Sequence, residues 1–463
     1  MAKQLILNLF DMAGAMHNSH GLWKHPQNKR HLVYNDLNYW IELGKLLEKG
    51  KFDSIFFADV AGVYDVYQNS KDPAVRDGVQ VPMNDPAFVV PAMAAVTEHL
   101  SFIVTVSTSY EHPFSNARRF STLDHFTKGR VGWNIVTSYL PNAAQNYGQK
   151  EMIKHDQRYE IADEFLEVSY KLWESSWENN AFIGDTEIGI LFDPKKVHEI
   201  NHNGTFFSVK GPHLTYPSKQ RTPIIFQAGT SERGRDFSAK HAECVFVSGA
   251  TTEKLKFYID DIKERAKKYG RNPDNIKTFT FLNIVVAETT EEAENKFEQY
   301  RHFWSSEAAK AQFGGSSGYD LAKYTDKDAP FEYQHTEHGQ TRAASLTKDA
   351  PKKLTVQEVL NKFETIDRDH VLVGNPSEVA DAIQYQFEAT GIDGFNLAHF
   401  VTPANIEEFI NLVVPELQKR GIYKENYTEG TLREKLFGTG RNLLPNDHIG
   451  AKYRNAYSTK LNS

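Results

Sequence analysis

Short apolar segments alternate with amphipathic helical patterns along almost the whole chain. Strand-like segments are predicted at residues 4–9, 52–58, 100–107, 131–137, 223–227, 244–247, 278–287 and 394–398. Helical patterns follow them, as at residues 37–47, where Gly50 stands at the expected helix end. Such alternation indicates parallel βαβ units, and about eight of them predict an α/β fold with a closed (β/α)8 barrel.

The main alternative is an open, doubly wound parallel sheet. A dinucleotide-binding sheet of that kind is expected to carry a GxGxxG turn after its first strand. Here the first strand leads into FDMAG at residues 10–14, which lacks that pattern. The sequence therefore favours the barrel.

The predicted domain organisation is one barrel domain over residues 1–423 and a C-terminal arm over residues 424–463. Two polar stretches near residues 178–221 and 313–369 interrupt the strand–helix rhythm and are interpreted as insertions in the barrel. The second insertion is expected to act as a lid over the active site.

Composition excludes several classes of function. Lys plus Arg number 53 against 60 Asp plus Glu, a net charge of −7, which argues against nucleic-acid binding. The only cysteine, Cys244, excludes an intrachain disulfide and a multi-cysteine metal site. No run of 18 apolar residues predicts a membrane helix, and the apolar run near the N-terminus is too short for a signal peptide. A cytoplasmic location is expected.

In a (β/α)8 barrel the active site lies at the carboxyl ends of the strands. Polar and aromatic side chains cluster after several predicted strands. They include His17, His20, Asp59, Tyr64, Thr108, Asn134, Ser138, Tyr139 and the segment Ala228, Gly229, Thr230 and Ser231.

The turn at Gly229, Thr230 and Ser231 precedes a predicted helix, whose free N–H groups would favour a phosphate. Ser231 acting as an ordinary helix cap is the alternative. His17 and His20 have a spacing that could place both on a metal. No third ligand and no HExxH motif accompany them, so hydrogen-bonded loop histidines are favoured and no metal site is predicted.

Nine short segments identify a family resemblance. They are NDLNYW at 35–40, LEKGKFD at 47–53, FADV at 57–60, AVTEHL at 95–100, STLDH at 121–125, GRVGWNIVTS at 129–138, RYE at 158–160, KLWE at 171–174 and FQAG at 226–229. Together they resemble the bacterial luciferase-like flavin monooxygenases over about residues 3–457. Within that family the chain is similar to the group of nitrilotriacetate, dibenzothiophene sulfone, long-chain alkane and dimethyl sulfide monooxygenases.

The resemblance implies a (β/α)8 barrel with long insertions and a two-component reaction. Reduced FMN would come from a separate NAD(P)H-dependent flavin reductase and react with O2 to a flavin hydroperoxide or peroxide. That species would oxygenate a small organosulfur compound or an alkane. A homodimer or a higher homo-oligomer is expected. The alternatives are a barrel that binds flavin without turnover and a deazaflavin-dependent barrel.

The resemblance also implies roles for individual residues. The substrate-side candidates are His17, Tyr64 and Tyr139. The candidates for flavin binding are Asp59, Thr108, Asn134, Ser138, Tyr139, Tyr159, Ala228, Gly229, Thr230 and Ser231. The chain departs from the long-chain alkane enzymes at Gly14, where they carry cysteine, and at Tyr139, where they carry histidine.

Overall fold

A computed structural model describes residues 3–249, 251–350 and 352–456. Eight parallel strands close into a barrel, as predicted, with the spatial order β6-β5-β4-β3-β2-β1-β8-β7 and a final β6–β7 pairing. Their bounds are β1 Ile6–Met12, β2 Ser54–Ala58, β3 Ser101–Ser107, β4 Val131–Val136, β5 Ile224–Ala228, β6 Cys244–Phe246, β7 Lys277–Val286 and β8 Gly394–Ala398. The short strand Leu372–Gly374 extends the sheet along the end of β7.

Helices cover the outside of the barrel, one after each strand. They are α1 Leu37–Lys49, α2 Val90–Ala95, α3 Pro113–Phe126, α4 His155–Tyr170, α5 Glu232–His241, α6 Thr252–Lys268, α7 Pro376–Thr390 and α8, which begins as Ala404–Glu408 and continues to Lys419. Local chemistry sets their ends. The Asp36 carboxylate accepts the Asn38 amide at the start of α1, and Gly50 follows its last residue. Both boundaries agree with the helical pattern of the sequence.

The interior of the barrel is apolar and aromatic. Phe56, Ile103, Phe226 and Phe279 belong to one buried cluster inside it. Cys244 lies in the same cluster, and burial raises its thiol pKa well above the ordinary value. Such a thiol stays protonated and inert, as its apolar strand context predicts.

The C-terminal segment packs against the amino-terminal ends of the strands. Leu432 and Leu436 join the buried cluster inside the barrel. Arg433 forms hydrogen bonds of 2.7 and 2.9 Å with the carboxylate of Glu243, and both side chains are only 1% exposed. This segment closes the floor of the barrel, opposite the expected active site. Residues 457–463 of the predicted arm lie outside the described residues.

The first insertion contains two small antiparallel hairpins, Phe182–Asp185 with Ile190–Phe192 and His202–Asn203 with Ser208–Val209. The second insertion is predicted at residues 313–369, but the chain leaves the barrel earlier, after β7. Its helices are Thr290–Phe303, Ser306–Ser317, Gln340–Ser345 and Val356–Asn361. Residues 313–317, at the start of the predicted insertion, thus belong to a helix. Gly314 and Gly315 of this segment pack closely on a barrel loop. We use "second insertion" below for residues 290–371.

No helix within residues 3–249, 251–350 and 352–456 combines the length and the apolar character needed to cross a membrane.

Candidate active site

The carboxyl ends of β1 to β5 meet at one mouth of the barrel. Asp59, Thr108 and Ser138 each come directly or almost directly after the strands β2, β3 and β4. His17 follows β1, and the turn from Gly229 to Ser231 follows β5. The parallel topology thus brings most of the residues predicted from the sequence to the same face of the barrel.

Two tyrosines meet at this mouth. The hydroxyl oxygens of Tyr64 and Tyr139 lie 2.7 Å apart, and the Tyr64 hydroxyl donates to Oε1 of Gln80 at 2.6 Å. Since Tyr64 donates its proton to Gln80, Tyr139 is the donor to Tyr64. Burial raises the pKa of Tyr139, and raises that of Tyr64 well above the ordinary value. Both phenols therefore stay protonated near neutral pH.

A series of amide hydrogen bonds continues from Gln80 to the second insertion. Nε2 of Gln80 donates to Oδ1 of Asn18 at 3.2 Å, and Nε2 of Gln312 donates to the same oxygen at 2.6 Å. Nε2 of His20 lies 2.6 Å from Oε1 of Gln312. The amide side chains of Asn18, Gln80 and Gln312 were not predicted as site residues, because isolated amide side chains form no recognisable sequence pattern.

Two adjacent glycines let the helix Ser306–Ser317 lie directly on the loop that carries Tyr64. A Cβ added at Gly315 would lie 2.6 Å from Cγ of Tyr64, and one at Gly314 would lie 3.2 Å from the backbone nitrogen of Tyr67. A Cβ contact below 3 Å forces its neighbour to move. The glycine pair thus fixes the distance between the second insertion and the Tyr64 ring.

His17 lies beside an ion pair buried under the mouth. Nη1 of Arg30 lies 2.6 Å from Oδ1 of Asp11, and Nε2 of His399 lies 3.4 Å from the same oxygen. The His17 ring centroid is 5.5 Å from that of His399, and neither ring nitrogen of His17 has a hydrogen-bond partner among the described residues. Burial holds the His17 pKa well below its ordinary value, so this ring is neutral.

His17 and His20 do not face a common point, because His20 is bonded to Gln312. Burial, followed by the charge of Arg342, lowers the pKa of His20 to about 4. His17 is grouped instead with Asp11 and His399, whose ligand atoms lie within 4.8 Å of one another. The guanidinium of Arg30 already neutralises that carboxylate.

Asp59 is a carboxyl group in an unfavourable environment for charge. Burial, followed by the negative charge of Asp85, raises the Asp59 pKa to about 7. The side chain is partly exposed at the mouth. It can therefore exchange a proton with a bound molecule near neutral pH.

The turn after β5 is shaped by a helix cap and by the close approach of Tyr159. Oγ of Ser231 accepts the Gly234 amide at 3.1 Å, as the N-cap of α5. A Cβ at Gly234 would lie 3.0 Å from the Tyr159 hydroxyl. Thr230 is bonded through Oγ1 to Oγ1 of Thr341 at 3.1 Å, which ties the second insertion to this turn. Ala228, the last residue of β5, is exposed.

Ser138 and Asn134 occupy different levels of the site. Oγ of Ser138 donates to Oγ of Ser107 at 2.7 Å, and its φ of 57° places the backbone in the left-handed region. Asn134 lies within β4 rather than after it, and Nδ2 donates to Oγ1 of Thr105 at 2.9 Å inside the barrel. Oδ1 of Asn134 has no partner among the described residues. Asn134 is thus deeper than the other predicted flavin contacts.

Comparison with known proteins gives one consistent result. The sequence model of the luciferase-like monooxygenase family matches residues 13–394. The long-chain alkane monooxygenase of Geobacillus thermodenitrificans (strain NG80-2) is 54% identical over 460 residues, covering 99% of this chain and 100% of the relative. A crystal structure of a long-chain alkane monooxygenase has a TM-score of 0.91 and covers 98% of this chain and 100% of its own.

Two further relatives differ in their reactions. The dimethyl-sulfide monooxygenase of Hyphomicrobium sulfonivorans is 45% identical over 461 residues, covering 99% of this chain and 96% of the relative. The crystal structure of a riboflavin lyase with modified FMN and riboflavin is 39% identical, with a TM-score of 0.91, and covers 98% of this chain and 100% of its own.

Proposed function

The chain belongs to the luciferase-like monooxygenase family, and we propose that it uses reduced FMN and O2 to oxygenate a small organic molecule. One oxygen atom would enter the substrate and the other would leave as water, with two electrons supplied by the reduced flavin. The observation that carries this proposal is the position of the tyrosine pair and of the glycine-containing turn at one barrel mouth.

The turn after β5 fits the phosphate of FMN. A Cβ at Gly229 would lie 2.6 Å from Nε2 of Gln227 and 3.3 Å from Cα of Gly234, so a side chain at this position would displace the Gln227 amide and crowd the start of α5. The N-terminus of α5, a helix of ten residues, directs free N–H groups at the same point. Thr230 and Ser231 add hydroxyl groups, and Tyr159 lies beside them.

The remaining groups suit a flavin ring and a reacting substrate. The unpartnered nitrogens of His17 and Oδ1 of Asn134 are buried, and a buried polar atom without a partner is costly unless a ligand completes it. Asp59 can hold or release a proton. Bound reduced FMN would supply the electrons and activate O2, while the hydroxyl groups of Tyr64 and Tyr139 would border the substrate and the second insertion would exclude water.

A separate NAD(P)H-dependent flavin reductase is the proposed partner, and the chain would work in the cytoplasm, where NAD(P)H is available. The sequence after β1 lacks the dinucleotide fingerprint, which supports delivery of FMN already reduced.

We also propose a homodimer or a higher homo-oligomer. The first hairpin of the first insertion presents an apolar surface: Phe182, Ile188 and Leu191 are 54%, 64% and 62% exposed. A contiguous exposed apolar patch is typical of a protein–protein interface.

The proposed substrate is an organosulfur compound or an alkane, as in the relatives named above. An anaerobic titration tests the cofactor. The protein is mixed with reduced FMN and, separately, with a reduced deazaflavin. We expect saturable binding of reduced FMN. Binding of the deazaflavin alone would contradict the proposal and favour a deazaflavin-dependent enzyme.

A further inference from the structure

The hydrogen bonds around the tyrosine pair run in one direction. The Tyr64 hydroxyl donates its single proton to Oε1 of Gln80 at 2.6 Å, and the Tyr139 hydroxyl donates its own proton to the Tyr64 oxygen at 2.7 Å. Gln80 donates in turn from Nε2 to Oδ1 of Asn18 at 3.2 Å. Each proton of this series therefore points away from Tyr139 and toward Asn18.

The second insertion takes part in setting this direction. Nε2 of Gln312 donates to the same Oδ1 of Asn18 at 2.6 Å, so that oxygen accepts two amide protons. Nε2 of His20 lies 2.6 Å from Oε1 of Gln312 and supplies the proton between them. Because an amide side chain has one donating and one accepting end, the orientation of one amide determines that of the next. The side chains from His20 to the tyrosine pair are thus oriented as one unit.

The Tyr139 hydroxyl is left with an oxygen atom that can only accept a hydrogen bond. Its proton is used for Tyr64, and no residue that the structure describes donates to its oxygen. Burial raises the pKa of Tyr139, so the hydroxyl keeps this proton near neutral pH. Tyr64 is 2% exposed, whereas Tyr139 is partly exposed. Of the two tyrosines, Tyr139 is therefore the one that a molecule in the mouth can contact.

Other side chains at the carboxyl ends of β3 and β4 show the same pattern. Ser138 donates to Oγ of Ser107 at 2.7 Å, and Ser109 donates to the backbone oxygen of Thr137 at 2.7 Å. Asn134 donates from Nδ2 inside the barrel, and its buried Oδ1 has no partner among the described residues. These donors are engaged within the protein, so this side of the mouth offers mainly oxygen acceptors to a bound molecule.

We propose that Tyr139 selects substrates that carry a hydrogen-bond donor, a hydroxyl or N–H group, such as a thioether with a hydroxyl group. The donor would bond to the Tyr139 oxygen. Gln80 would be a positioning residue, because it accepts the Tyr64 proton and so keeps the Tyr139 proton turned away from the substrate. A carbonyl group at the same place would bring its lone pairs against those of Tyr139.

This inference rests on the proposed monooxygenase function and narrows its substrate class. Reduced flavin is a second source of N–H donors for the same oxygen. The buried Oδ1 of Asn134 is already an acceptor for the flavin, so we assign the Tyr139 oxygen to the substrate.

Two matched ligands test the direction of these hydrogen bonds without turnover. Thian-4-ol and thian-4-one share one cyclic thioether skeleton, and both can accept a hydrogen bond, but only the alcohol can donate one. Their Kd values are measured by calorimetry with the FMN-loaded protein. Tyr139→Phe is expected to weaken binding of the alcohol about fivefold, the usual size of one neutral hydrogen bond, without weakening that of the ketone.

A second variant and a control accompany this substitution. Gln80→Met removes the acceptor of the Tyr64 proton, so Tyr64 can donate to Tyr139 and Tyr139 can donate to the ligand. It should therefore tighten binding of the ketone relative to the alcohol. Tyr385→Phe removes an exposed hydroxyl from the surface and should leave both Kd values unchanged.

Equal weakening of both ligands by Tyr139→Phe would show that Tyr139 donates its proton to the ligand, and would overturn the proposal. An unchanged Kd for the alcohol, or no binding of the alcohol to the parent protein, would overturn it as well. A further arm titrates oxidised FMN and, anaerobically, reduced FMN. If Tyr139→Phe weakens only reduced FMN, the oxygen serves the flavin and the proposal is wrong.

The binding data also separate this proposal from the monooxygenase function on which it rests. A preference for the alcohol that depends on Tyr139, with no oxygenated product from thian-4-ol, would reject the monooxygenase function for this substrate class alone. Product formation without that preference would reject only the role of Tyr139.

Discussion

The hydroxyl groups of Tyr64 and Tyr139 lie 2.7 Å apart and join the loop after β2 to the loop after β4. Tyr64 uses its proton for Gln80, so Tyr139 donates to Tyr64 and the direction of the series is fixed. His20 then donates from Nε2 to Gln312 at the other end. The orientation of the two phenols is thus set by residues on the barrel and on the second insertion together.

Removing the Tyr64 hydroxyl should impair catalysis more than folding. Tyr64→Phe deletes the bonds to Gln80 and Tyr139 while keeping the ring against Gly315. We expect oxygenation to fall by about 10²-fold, the usual size of a lost proton-transfer or hydrogen-bonding group. Product formed per NADH consumed is the measurement, with Tyr385→Phe on the exposed surface as the control. An unchanged product yield would reject this role for Tyr64.

The close approach of Gly315 predicts an unusual response to alanine. Alanine in place of a helical glycine ordinarily stabilises a helix by roughly 1 kcal/mol. Gly44→Ala should follow that rule, because its Cβ would meet Met93 only at 3.4 Å. Gly315→Ala should lower the free energy of unfolding and the oxygenation rate, since its Cβ would strike the Tyr64 ring. Urea denaturation of the two variants makes the comparison. Equal stabilisation in both would show that the second insertion packs differently.

The raised pKa of Asp59 predicts that this residue destabilises the flavin-free protein in a pH-dependent way. Folding raises this pKa to about 7 from an ordinary value of 3.8, so the unfolded state ionises first as pH rises. The free energy by which Asp59 destabilises the folded state therefore grows from about pH 4 to about pH 7 and then levels off. Asp59→Asn should accordingly raise Tm increasingly over that range.

The control for Asp59 is Asp349→Asn, which removes an exposed carboxylate of the second insertion. Its Tm difference from the parent protein should show no such rise between pH 4 and pH 7. A flat profile for Asp59→Asn as well would mean that Asp59 is not held in an unfavourable environment.

Much of the architecture follows from the sequence. The apolar segments are buried strands, and the residues directly after β2 to β5 reach the barrel mouth because parallel strands end on the same side. The helix end at Gly50 and the N-cap role of Ser231 are equally local, since residues within one helical turn decide them. Predictions of this kind need only neighbouring residues.

The remaining parts depend on contacts between distant segments. Gln312 lies 294 positions from Asn18, so no periodicity of the sequence predicts their contact. The packing of residues 313–317 as a helix depends on the Tyr64 loop beneath Gly315. Asn134 is deeper than expected because its side chain is bonded inside the barrel.

The position of Ser231 in the turn after β5 predicts that a substitution there affects the binding of FMN and of riboflavin differently. Ser231→Ala removes the cap of α5 and one hydroxyl beside the proposed phosphate position, so FMN should bind several-fold more weakly while riboflavin binds as before. Thr251→Ala removes the equivalent cap of α6 and controls for the loss of a cap, which costs about 1 kcal/mol. Equal weakening of FMN and riboflavin would place the phosphate elsewhere.

Isotope labelling separates oxygenation of a substrate from oxidation of the flavin alone. The protein is incubated with a flavin reductase, NADH, FMN and 18O2, together with dimethyl sulfide, 3-(methylthio)propionate or hexadecane. We expect a product from at least one of them that contains a single oxygen atom derived from 18O2. The reductase and FMN without the protein should form none. NADH consumption with no labelled product from any of the three, while bound reduced FMN is demonstrated, would contradict a monooxygenase function on these substrate classes.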